Sequence, residues 1–158
     1  MHKSVINLTI IEKQINDKIL NKEIKKKINI IAVSKTFPLA DIKPLINYGH
    51  MHYGENKVQE AIEKWTDIKN ENKNIKLHLI GKLQTNKVKY ILPLFDFIHS
   101  LDNLKLAEKI SLEQKKKKFK PKIFIQVNIG NEIQKSGISI DELESFIKSC
   151  RETYNLDV

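Results

Sequence analysis

The sequence predicts an α/β domain, a partial (β/α)8 barrel in which an N-terminal helix precedes about five strand–helix units. Three observations predict it. Short apolar runs rich in β-branched residues alternate with segments whose apolar residues recur at helical spacing, an order that gives parallel strands joined by right-handed crossovers. Polar residues gather just after those runs, on the rim where barrels carry their chemistry: Lys35 after the first, Glu55 and Asn56 after the second, Lys82 and Gln84 after the third, Ser100 and Asp102 after the fourth, and Asn128 in the fifth. No Gly-x-Gly-x-x-Gly follows the first run and no Gly-x4-Gly-Lys-Ser/Thr occurs, which weighs against the alternative of an open nucleotide-binding sheet.

Leu8, Ile11, Ile15 and Ile19 share one helical face and open the chain as an amphipathic helix. Ile28 to Val33 is a continuous apolar run, read as a strand buried on both faces. Pro38 and Asp41 start a helix through Ile42, Leu45 and Ile46, which Gly49 closes. The alternation continues with a strand at His52–Gly54, a helix at Val58–Ile68, a strand at Leu77–Ile80, a helix at Asn86–Leu92, a strand at Phe95–His99 and a helix at Leu104–Gln114. The lysines at 115–118 sit where that helix ends, complementing its dipole, and Pro121 follows as a stop. Ile123–Ile129 is the clearest strand. Ile140–Tyr154 reads as a helix opened by a capping box of Ser139 and Glu142, and Leu156–Val158 as the start of another strand.

A chain of 158 residues fits one domain, residues 1–158. Hydrophobic residues at 41% and charged residues at 30% give an ordinary globular balance. No apolar run approaches the roughly 20 residues that span a bilayer, and the N-terminus meets acidic residues too early for a signal peptide, so a cytoplasmic protein without a membrane partner is expected. The lone Cys150 excludes an intramolecular disulfide. The net charge of +9 raises the question of nucleic acid. Arg151 is the only arginine, however, and arginine is the residue suited to bidentate phosphate and base contacts; the lysines, including those at 25–27, read as a solvated surface.

Six segments then occur in order. They are Ala32 to Thr36 (AVSKT), Tyr53 to Asn56 with Val58 to Glu60 (YGEN, VQE), Ile80 to Lys87 (IGKLQTNK), His99 to Asp102 (HSLD), Gln126 to Asn128 (QVN) and Lys135 to Gly137 (KSG). With them the chain resembles the pyridoxal phosphate homeostasis protein family, over nearly all its length after the first helix. The resemblance implies a barrel similar to the N-terminal domain of alanine racemase and pyridoxal 5'-phosphate held as a Schiff base on the lysine that ends the first strand, here Lys35. It implies a cofactor carrier or regulator acting on vitamin B6 and amino-acid pools, with little or no catalysis of its own, and a monomer when complete. There are departures. Leu77-His78-Leu79 keeps the histidine but not the aromatic that usually precedes Ile-Gly, Lys82 stands where histidine or proline is common, and Phe37 replaces a polar residue. The family also continues for several strands, whose serine, glycine and arginine residues hold the cofactor phosphate and face the pyridine nitrogen. The expectation is a C-terminally truncated barrel with its final strands missing, to which a separately encoded C-terminal segment is a candidate partner.

The residue chemistry agrees. An imine-forming lysine must be neutral to attack an aldehyde, so its site must desolvate it or set another cation nearby. Lys35, anchored on the apolar run before it, meets the positional requirement better than lysines in solvated runs. Asn56 both donates and accepts, which suits a cofactor ring or its phenolic oxygen. Gly54 lets the backbone approach a ring closely. Gln84, Asn86, Ser100 and Asn128 are further cofactor-binding candidates on the rim, and Lys135 and Gly137 form a loop near it. The pair His50-x-His52 could share a strand face and chelate a metal, but it starts its strand on the rim opposite Asn56, so no metal is expected. Cys150 reads as packing. Two other functions compete: a racemase-like or aldolase-type Schiff-base enzyme on the same lysine, and a basic nucleic-acid-binding module. A racemase needs an acid–base group on each face of the substrate carbon, and the sequence offers no second one.

Overall fold

The computed structural model describes residues 1–21, 28–130, 132 and 134–158, and the lysines at 25–27 lie outside them. Five strands form one parallel sheet in the order β1-β2-β3-β4-β5: Ala32–Val33, His52–Glu55, Lys76–Leu79, Phe97–Leu101 and Lys122–Ile125. Each strand pairs with its neighbour in sequence. That singly wound order belongs to a (β/α) barrel, whereas a doubly wound sheet reverses direction at a switch point. The helices are α1 (Lys3–Asn21), α2 (Leu39–Tyr48), α3 (Val58–Glu71), α4 (Val88–Ile91), α5 (Leu104–Lys117) and α6 (Leu143–Lys148).

Alternation along the strands divides the sheet into two unlike faces. Tyr53, Leu77, Leu79 and Ile98 are fully buried, in one core with Trp65 and Ala61 of α3, Ile91 of α4 and Leu106 and Ile110 of α5. The opposite face carries His52, His78, Phe97, His99 and Phe124. His78 stacks on Phe97 with ring centroids 4.2 Å apart, and His99 on Phe124 at 4.4 Å. Phe124 stays 52% exposed there, so this face is only partly covered.

Several boundaries differ from the sequence reading. The first strand is two residues long rather than Ile28–Val33, and Val33 is 48% exposed instead of buried on both faces. An apolar run reports burial rather than hydrogen bonding. β1 has one strand partner, and Ile30 and Ile31 instead line a cavity of about 600 Å³ with Leu8 and Ile11 of α1 and Ile42 and Leu45 of α2. β4 starts at Phe97, because Phe95 is a fully buried anchor ahead of the ladder. β5 stops at Ile125, after which the chain bridges Val127 to Ile138. The fourth helix is split into a 3-10 turn (Thr85–Lys87) and α4. The expected capping box does not form: the Ser139 hydroxyl donates to the Glu142 side chain at 2.6 Å, and the helix spans only Leu143–Lys148 before a π-helical turn, Ser149–Thr153. α2 ends as expected, on Gly49 in the left-handed region. α5 runs into the lysine cluster and ends on a left-handed Lys118, ahead of Pro121. Lys122 and Asp157 form an isolated parallel bridge, the trace of the strand expected at Leu156–Val158.

Candidate functional site

The C-terminal edge of the sheet is assembled by backbone hydrogen bonds. The Ser34 N–H donates to the Gly54 carbonyl at 2.9 Å, and the Ile80 N–H to the Glu55 carbonyl at 2.9 Å. Ser34–Lys35, Glu55–Asn56 and Ile80–Gly81 therefore stand side by side at the ends of β1, β2 and β3. Lys35 lies in a turn just beyond β1 and is exposed, and Asn56 is half-buried. Among the described residues neither side chain has a hydrogen-bonding or ionic partner. Glycines keep this edge tight. A Cβ on Gly81 would sit 2.3 Å from the Asn56 carbonyl oxygen, and one on Gly54 3.1 Å from Ile80 Cδ1 and 3.2 Å from Ile31 Cγ2.

Beneath the Lys35 turn lies a network that joins β1, β2 and α3. Glu55 is fully buried, and its Oε1 accepts from the Ser34 hydroxyl at 2.8 Å, the Trp65 indole N–H at 2.9 Å and the Lys64 ammonium at 3.0 Å. Lys64 also donates to the Ser34 carbonyl at 3.0 Å and to Glu60 Oε1 at 3.1 Å. The same Glu60 oxygen accepts the Thr36 backbone N–H at 2.9 Å. That N–H and the Lys64 ammonium hold the Glu60 carboxyl below the usual range. Thr36 has φ +66°, a left-handed conformation that is costly for a β-branched residue.

The other candidates divide. Gln84 and Asn86 are exposed at the 3-10 turn. Ser100 is buried where β4 carries an extra residue against β5, and its hydroxyl has no partner among the described residues. Asn128 is engaged locally: its amide donates to the Glu132 carbonyl at 3.0 Å and the Lys135 carbonyl at 3.4 Å, closing the loop after β5. Gly137 packs against the backbone of that loop, where a Cβ would meet Asn128 N at 2.7 Å. Lys82 ties the rim to the loop through the Ser136 hydroxyl at 3.2 Å. His50 and His52 do not converge. His50 Nε2 pairs with the His52 carbonyl at 2.9 Å, while His52 Nδ1 pairs with His78 Nε2 at 2.9 Å, and among the described residues no three-ligand metal cluster forms. Burial pushes the Cys150 thiol up to about 11, which suits packing.

Sequence reasoning gave no role to Glu60, Lys64 or Gly81, and placed Glu55 on the rim without partners. One signal was available: Glu60 and Lys64 stand four apart on a helix, the spacing of an ion pair. His78 and His99, which with His52 make a hydrogen-bonded row across three strands, were visible only as members of separate motifs.

Comparison with known proteins gives a consistent picture. The alanine racemase N-terminal domain family matches residues 7–158. The pyridoxal phosphate homeostasis protein of Buchnera aphidicola subsp. Schizaphis graminum is 39% identical over 158 residues, which are 99% of this chain and 69% of that protein. The pyridoxal phosphate homeostasis protein of Aquifex aeolicus is 36% identical over 82% of this chain, which spans 56% of that relative. The structure of PipY of Synechococcus elongatus PCC7942, with PLP bound, superposes with a TM-score of 0.72 at 32% identity, covering 84% of this chain and 61% of PipY.

Proposed function

The chain belongs to the alanine racemase N-terminal domain family, on its pyridoxal phosphate homeostasis branch, and from that premise we propose that it holds pyridoxal 5'-phosphate at the C-terminal edge of its sheet, covalently on Lys35. The observation that carries the proposal is the Lys35 turn itself. Among the described residues it presents a primary amine without a partner, beside a half-buried and equally unpartnered Asn56 amide, on an edge that Gly54 and Gly81 draw tight. Attachment there would join Lys35 Nζ to the cofactor's aldehyde carbon through a C=N bond, the aldehyde oxygen leaving as water. The bound cofactor supplies an aldehyde carbon and an electron-withdrawing ring. The Asn56 amide is the group to donate to the ring's phenolic oxygen, and Lys82 is a cation beside that edge for the phosphate. The space beside Gly54 and Gly81 is taken up by Ile31, Ile80 and the Asn56 backbone, so these glycines fix the edge on which the cofactor would rest rather than opening room for its ring.

The role we infer is that of a carrier or regulator of intracellular cofactor supply, with effects on amino-acid pools, rather than a catalyst. Racemisation needs an acid–base group on each face of a substrate carbon. Glu55, Glu60 and Lys64, which reach the Lys35 turn, are instead bonded to one another and to the turn. The test is chemical. After incubation with pyridoxal phosphate and reduction with borohydride, the label is expected on the peptide that contains Lys35, and Lys35→Ala should lose it. Label spread over the surface lysines, or unchanged in Lys35→Ala, would refute the assignment.

A further inference from the structure

Lys35 sits on a turn that its own backbone closes with a long hydrogen bond, from the Phe37 N–H to the Ser34 carbonyl at 3.3 Å. The next residue, Thr36, is β-branched and left-handed at φ +66°, a conformation that persists only where surrounding structure over-determines it. Among the described residues, the polar hold on the Thr36 backbone is its N–H, donated to Glu60 Oε1 at 2.9 Å. That oxygen is itself fixed by Lys64 at 3.1 Å. Lys64 in turn grips the residue on the other side of Lys35, through the Ser34 carbonyl at 3.0 Å, and is anchored to the fully buried Glu55. Lys35 is thus clamped at the backbone from both flanks by one helix, while its own side chain has no partner among the described residues.

We propose that Glu60 is a positioning residue for Lys35: by capping the Thr36 N–H and seating Lys64 under Ser34, it fixes the turn from which the Lys35 amine reaches its aldehyde. The proposal rests on Lys35 being the attachment lysine. It assigns Glu60 no contact with cofactor. Glu60 acts by restricting the directions the Lys35 stem can leave the backbone, which removes an ordering cost that attachment would otherwise carry. The charge on Glu60 is not what the turn requires. A neutral carbonyl at the same place would accept from both Thr36 and Lys64, so Glu60→Gln should preserve the arrangement and Glu60→Ala should lose it.

Glu60 lies at the surface with its side chain 30% exposed, so neither change should unfold the chain, which thermal unfolding would verify. Two readouts are needed. The first involves no cofactor: backbone amide exchange at Thr36, measured by NMR. Glu60→Ala should speed it roughly tenfold and Glu60→Gln leave it near the parent value. The second is the pyridoxal phosphate concentration that half-saturates borohydride labelling of Lys35, with labelling of the exposed Lys116 as internal reference. Glu60→Ala should raise the Lys35 value roughly tenfold without changing Lys116, and Glu60→Gln should stay within about threefold. Unchanged Lys35 labelling in Glu60→Ala overturns the proposal, and it does so even if Thr36 exchange accelerates, since the contact would then be merely structural. Absence of label from Lys35 in the parent chain would instead overturn the Lys35 assignment and with it the positioning role, while Thr36 exchange would still read the Glu60 contact on its own.

Discussion

Trp65 donates its indole N–H to the same Glu55 oxygen that accepts from Ser34 and Lys64, so a carboxylate in the core is satisfied on one side by three donors, two from α3 and one from the residue after β1. Its other oxygen has no partner among the described residues. The balance there depends on Lys64, whose side chain is 9% exposed against 0% for Glu55. A buried ion pair contributes little beyond a well-packed apolar pair, yet removing one partner strands the other charge. Lys64→Met should therefore destabilise the fold by about 3 kcal/mol, measured by urea unfolding at neutral pH. A loss within about 0.5 kcal/mol, the size expected of an ordinary surface substitution, would show that the carboxylate does not need the cation. This scale also marks how far the site could be read in advance. Lys35, Gly54 and Asn56 were legible because each follows or ends an apolar run, and the fold does bring them to one edge. The clamp was not, because Ser34 and Lys64 are thirty positions apart, and neither residue type by itself announces a partner. Asn128 shows the converse, since its amide closes its own loop.

Among the elements, β2, β3 and β4 each contribute one imidazole to a row on the partly covered face of the sheet: His52 Nδ1 to His78 Nε2 at 2.9 Å, and His78 Nδ1 to His99 Nε2 at 2.9 Å. Burial, aided by the neighbouring imidazoles, lowers His78 to about 3, and burial lowers His99 and His50 as well. The folded state thus prefers the neutral rings, whereas the unfolded chain takes up protons near the ordinary value of about 6.5. Between those limits the unfolded state binds more protons, so stability is fully present above about pH 6.5 and is lost as pH falls towards 3. For His78 the slope should approach about 1.4 kcal/mol per pH unit. Urea unfolding between pH 7 and 4 would measure it. His78→Phe, which keeps a ring to stack on Phe97, should flatten the profile, and an unchanged slope in that variant would exclude the row as the cause. Element types and their order were legible throughout, because apolar periodicity switches cleanly between strand and helix. Boundaries were less so. At Ile28–Val33 apolar character extends well past the two residues that hydrogen-bond to β2, since packing on α1 and α2 requires the same side chains as a strand would. At Ser139 the hydroxyl chose the Glu142 carboxylate over a backbone N–H.

For the whole molecule, the singly wound order has an energetic consequence. Helices bury most of one face of the sheet, but the other leaves Val33 at 48% and Phe124 at 52% exposed, and Ile129, in the loop beyond β5, is 77% exposed. In a closed (β/α)8 barrel of about 250 residues that inner face is filled by layers of side chains from all eight strands. The chain spans 69% of the Buchnera relative and 56% of the Aquifex one. Each large apolar side chain left in water forgoes roughly 1.5–3 kcal/mol of burial, and among the described residues β1 has no strand on its outer edge while β5 meets Asp157 only at an isolated bridge. A polypeptide of these 158 residues prepared alone should therefore bind a hydrophobic dye, unfold over a broad temperature range and hold pyridoxal phosphate weakly. Barrel phosphate sites commonly sit in the loops after strands seven and eight, and lysines such as Lys82 act only as point charges beside the phosphate. Co-expression with a polypeptide carrying the later strands of the family barrel should suppress dye binding, sharpen the transition and tighten the cofactor, with attachment still at Lys35. Calorimetry, dye fluorescence and cofactor titration on the two preparations would decide it. A sharp cooperative transition together with tight cofactor binding by the 158 residues alone would mean that the partly covered face carries no such deficit, and that the phosphate is held by groups within this sheet edge.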